Sequence, residues 1–105
     1  MEYIPSNLEL RQSLESRLTK AFGVRNDGTF FPGDVETAFF KMAEVSRFAS
    51  SPWQCDMMSV LRRLQTYSRT DNPRDLADAV VMHCTLEETR NLQLELGYIA
   101  RMRLR

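Results

Sequence analysis

Cysteine, glycine, proline and long apolar runs are all scarce in this chain, and each shortage excludes something. Two cysteines, Cys55 and Cys84, cannot build a disulfide scaffold. Both fall in expected helices and fit free thiols of a reducing compartment, so a cytoplasmic protein is expected. The longest uninterrupted apolar stretch, 79–82, is far too short to span a bilayer. The first residues, Met-Glu-Tyr-Ile-Pro, lack the basic start and apolar segment of a signal peptide. No membrane association is expected.

An excess of one charge is also missing. Fourteen basic residues balance fourteen acidic ones, so no global field draws the molecule toward nucleic acid. Lysine is nearly absent: the basic set is 12 Arg with only Lys20 and Lys41. Arginine suits interfacial ion pairs, although base composition alone produces the same bias. That bias and the compactness suggest a bacterial or phage origin. Hydrophobic residues at 43% and charged ones at 27% describe a globular chain, and 105 residues suffice for one core. One helical domain over 1–105 is expected, without repeats or linkers.

What the sequence does contain is helix starts. Ser6 with Glu9 reads as a capping box opening a helix over about 7–22, which Gly23 ends. Leu10, Leu14, Leu18, Ala21 and Phe22 share one face of it. Three of the four glycines lie within 23–33, a loop or short hairpin. Asp34 is placed to cap a second helix that turns Val35, Ala38, Phe39, Met42, Val45 and Ala49 inward and leaves Phe40 and Phe48 on other faces. Ser51-Pro52-Trp53-Gln54 starts a third helix with Met57, Val60, Leu61 and Leu64 on its apolar face; Met57 and Met58 cannot both turn inward. Asn72-Pro73, followed by Asp75, starts a fourth, so apolar over 76–82 that it should be the buried centre. Thr85 with Glu88 opens the last. The expectation is all-α, a compact irregular bundle of about five short helices.

The last helix carries two apolar stripes. Leu92, Leu96 and Ile99 form one, and Leu94, Tyr98 and Met102 the other. One must meet the core, which leaves the second for a target or another copy of the chain.

Catalytic signatures are wanting. No Gly-rich phosphate loop or G-x-S-x-G elbow occurs. Asn26-Asp27-Gly28 resembles the middle of a calcium loop, but aligning Gly28 puts Gly23 and Arg25 where oxygen ligands belong, so an ordinary turn is expected. His83 and Cys84 are adjacent and point about 100° apart, which fits a core or boundary histidine better than a metal or nucleophilic pair. The carboxylate pairs Glu87-Glu88 and Glu2 with Glu9 lack surroundings that would tune them for acid–base work. No cofactor or metal is expected, and the chain does not read as an enzyme.

The leading expectation is a non-enzymatic protein–protein interaction module, an adaptor, chaperone or inhibitor. It would dock through Leu94, Tyr98 and Met102 with Phe40 or Phe48, while Arg101 and Arg103 orient a partner with an acidic or apolar surface. A homodimer is compatible. The alternative is a small dimeric nucleic-acid-binding regulator using Arg62, Arg63, Arg69 and Arg74. Squeezing 73–96 into a helix-turn-helix would place Glu87, Glu88 and Glu95 against phosphate, which ranks this reading second.

Overall fold

A computed structural model describes residues 6–48 and 57–103, with the backbone alone for 45–48 and 103. Ser6 acts as its place before a periodic apolar stretch predicts: its Oγ accepts the Glu9 N–H at 3.2 Å. Helix α1 then spans Asn7–Phe22 and buries Leu14, Leu18, Ala21 and Phe22. Gly23 ends it at φ 73°, a backbone region that penalises a Cβ, and its N–H donates to the Thr19 carbonyl.

A single antiparallel bridge, Val24 with Phe30, closes the following loop. Within it the Asp27 carboxylate accepts both the N–H and the hydroxyl of Thr29, as an Asp-Gly turn does. Among the described residues no cluster of His, Cys, Asp and Glu is placed to hold a metal. The Phe30 N–H donates to the Asp71 carbonyl at 2.7 Å, and its ring meets Phe22 edge-on with centroids 5.5 Å apart. The loop is thereby pinned to the end of α1.

Helix α2 spans Asp34–Phe48. Asp34 stands in its first turn rather than before it, and the Gly33 carbonyl accepts the Thr37 N–H at 3.0 Å. The carboxylate still lies at the positive end of the helix dipole. Val35, Ala38, Phe39 and Met42 are buried as expected; the expected inward positions Val45 and Ala49 lie outside the described side chains. Helix α3 is described over Met57–Tyr67, with Met57, Val60, Leu61 and Leu64 buried. Met58 is half-buried, in keeping with two adjacent methionines on one helix. The expected start of this helix at 51–54 falls outside the described residues, as does Cys55.

Helix α4, Pro73–His83, has the expected cap. Asn72 Oδ1 accepts the Asp75 N–H and Asn72 Nδ2 donates to the Asp75 carboxylate, both at 2.8 Å. Leu76, Ala77, Ala79 and Val80 are buried, but Met82 is 75% exposed. The expectation that the whole 76–82 run is central fails there. Two residues on a helix are about 200° apart, so a run that turns Val80 inward turns Met82 out. Cys84 follows the helix as its extended C-cap. It is therefore at a corner and not inside a helix. Helix α5, Leu86–Arg103, opens with the full reciprocal box: the Thr85 N–H donates to Glu88 Oε1 at 2.9 Å, and the Glu88 N–H to Thr85 Oγ1 at 3.1 Å.

α1 is the organising element, packed on both α4 and α5, while α3 packs on α2 and α4. All five helices contribute to one core that includes Leu18, Phe39, Leu64, Val80 and Leu96. The described residues form a single all-α domain with a radius of gyration of 13.2 Å, as a compact chain of this length should have. Among them no helix is long and apolar enough to cross a membrane.

Candidate functional site

α2 and α5 reach the same end of α1 without packing closely on each other, and a groove of about 630 Å³ opens between them. Ala21 and Phe22 at the end of α1 form its floor. Thr37, Ala38 and Met42 of α2 make one wall, and Tyr98, Ile99 and Met102 of α5 the other. Apolar surface predominates. The volume lies in the range of ligand and side-chain pockets, about 300–1,000 Å³.

Three charged side chains, Asp34, Lys41 and Glu95, edge the groove. None forms an ion pair among the described residues. Each keeps its charge available to whatever enters.

The second stripe of α5 is where the sequence predicts a leftover surface. Leu92 and Leu96 are at most 1% exposed, whereas Leu94, Tyr98 and Met102 are 65%, 57% and 52% exposed. Steps of four on a helix keep these three in one row. Tyr98 and Met102 belong to the groove wall; Leu94 continues the row beyond it. Arg101 is exposed beside them, its Nε donating weakly to the Gly97 carbonyl at 3.4 Å.

Phe40 is 55% exposed on α2 but does not line the groove. The side chains of Phe48 and Arg103 lie outside those described. Nothing in the sequence pattern points to the α2 wall: Ala38 and Met42 read as core, and they are core residues that also line the groove. Nor did periodicity single out Asp34, Lys41 and Glu95. Only the meeting of two helices distant in sequence makes them neighbours.

The four arginines of the alternative reading have divergent roles. Arg63 is half-buried and donates to both the His83 carbonyl at 3.1 Å and the Glu88 carboxylate at 2.8 Å. Arg69 pairs with Asp71 at 3.3 Å while remaining 80% exposed. Arg62 and Arg74 are exposed on α3 and in the first turn of α4. Beyond the Cys84-Thr85 corner, α5 packs on α1, so its contacts differ from those of a recognition helix docked on its predecessor. His83 is half-buried and stacks on Tyr67, ring centroids 4.5 Å apart. That is a boundary histidine with an aromatic neighbour.

On the other side of α5 a smaller cleft of about 370 Å³ separates Ser13, Arg17 and Lys20 of α1 from Gly97 and Ala100. Arg17 bridges it, donating to Ser13 Oγ and to the Gln93 carbonyl, each at 3.4 Å. No family model matches the chain, and no curated protein and no solved structure matches it.

Proposed function

We propose that this protein is a non-enzymatic interaction module, an adaptor, chaperone or inhibitor, that docks another protein chain on the α5 stripe and the groove beside it. One observation carries the reading: Leu94, Tyr98 and Met102 stand in a row, each more than half exposed, and two of them wall an apolar groove. Large apolar side chains scattered singly on a surface are ordinary, but a contiguous row beside a concavity is the usual form of a docking site.

In this mechanism the partner's apolar side chains enter the groove and cover the row. Fully burying a side chain of this kind is worth about 1.5–3 kcal/mol, and the exposed halves supply a comparable sum over three residues. Tyrosine brings large contact area and few rotatable bonds, so Tyr98 is the anchor. Asp34, Lys41, Glu95 and Arg101 form the polar edge that selects orientation. No step in this mechanism breaks a covalent bond. Two cysteines in 105 residues, too few for a disulfide scaffold, suit a reducing, cytoplasmic setting.

The test is affinity capture from cells of the source, comparing the natural chain with Tyr98→Glu. A partner held by the first and lost by the second, with circular dichroism unchanged, supports the reading. Equal capture by both would refute it.

A further inference from the structure

The charges beside the α5 row are arranged about Tyr98. Glu95 comes three residues before it and Arg101 three after. Three residues turn a helix by about 300°, so the acid stands about 60° to one side of Tyr98 and the base about 60° to the other. Neither makes an ion pair among the described residues, and the same holds for Asp34 and Lys41 on the α2 edge of the groove. Among the described side chains at the groove and beside Tyr98, the surface therefore offers two acids, Asp34 and Glu95, and two bases, Lys41 and Arg101, around an apolar centre.

Such a balance bears on what covers it. A strongly acidic or basic partner would gain attraction at two of these charges and meet repulsion at the other two. A surface that meets its own copy across a twofold axis needs both signs, placed so that each finds its opposite. We infer that the occupant is a second copy of this chain, docked about a twofold axis beside Tyr98 with the two α5 helices crossed. This rests on the reading of the row as an interaction surface.

Crossing is what the charge positions require. Side by side and antiparallel, the two helices would share edges, Glu95 along one with Glu95 of the other copy and Arg101 along the other with its counterpart. A parallel pair would leave acid and base about 9 Å apart along the axis, six residues of rise. A steep crossing of the right hand brings Glu95 opposite Arg101 of the other copy, twice by symmetry. The two Tyr98 rings then lie at the centre, with Leu94 and Met102 of each copy beside them and the charges at the rim, as in other stable interfaces.

Sedimentation equilibrium of the full chain tests this. The natural protein should dimerise at micromolar concentration. Tyr98→Glu should weaken the dimer by at least about tenfold, and Glu95→Arg or Arg101→Glu alone by about tenfold, since each converts two attractions into two repulsions. Both changes in one chain should restore the dimer. Mixing the two single variants should yield a heterodimer tighter than either variant alone, which unfolding would not produce. A dimer indifferent to Tyr98→Glu would overturn the location, and one indifferent to the charge exchanges would overturn the crossed geometry. A monomer at every concentration would overturn the inference. If Tyr98-dependent capture of a different protein is still seen with that monomer, the broader proposal stands; if no chain is captured, both fail.

Discussion

Arg63 and Glu88 meet at 2.8 Å, Nη1 to Oε1, across the corner between α4 and α5. The same guanidinium nitrogen donates to the His83 carbonyl at the end of α4, where helix carbonyls lack partners of their own. Glu88 in turn caps α5 by accepting the Thr85 N–H. One arginine on α3 therefore fixes how α5 leaves the corner, and through it the placement of the row that contains Tyr98.

Burial pushes the Glu88 carboxyl up, but the hydrogen bond and charge of Arg63, with the hydrogen bonds of Thr85, outweigh it and hold the group below its ordinary value of 4.5. A carboxyl depressed in the folded state stabilises the protein fully above its unfolded value, and that contribution is lost as pH falls through the lower folded value. Arg63→Met should cost about 1–2 kcal/mol at neutral pH, a moderate figure because Arg63 is partly exposed. The difference between the two proteins should shrink as pH falls below the ordinary carboxyl value of 4.5 and through the lower folded value. Urea unfolding across that range checks it, and a constant difference would refute the coupling.

Leu94 and Leu96 are two residues apart and face opposite ways, at 65% and 0% exposure. Leu96→Ala should destabilise by about 3–5 kcal/mol through the cavity it leaves, and Leu94→Ala by less than about 0.5 kcal/mol. Thermal unfolding separates them. Comparable losses would mean that the second stripe is part of the fold.

This contrast was readable in the sequence, because a helix period assigns the two leucines to different faces once Thr85 and Glu88 fix where the helix starts. The caps at Ser6 and Asn72 place α1 and α4 in the same way. Asp34 was off by one position, since a carboxylate favours the first turn and the cap alike. Arg63 was not readable: in sequence it is one of several arginines, and its partner is 25 residues away. The groove was hidden for the same reason, being made by α2 and α5, which two other helices separate along the chain. Met82 misled because a run of apolar residues says nothing about which of them a short helix must turn to solvent.

Random duplex DNA should not bind even at low salt, because Arg63 is held by Glu88 and Arg69 by Asp71. A fluorescence-anisotropy titration checks this. Binding whose affinity falls steeply as salt rises would put the nucleic-acid reading first.

The central claim is that the face around Tyr98 is covered by another chain in the cell. A photoreactive phenylalanine analogue placed at position 98, and separately at the still more exposed Met82 on α4, measures it directly. Irradiation in the source cells should give a discrete adduct from position 98, a second copy or a different protein, and none from position 82. No adduct at 98, or the same adducts from both positions, would contradict the account.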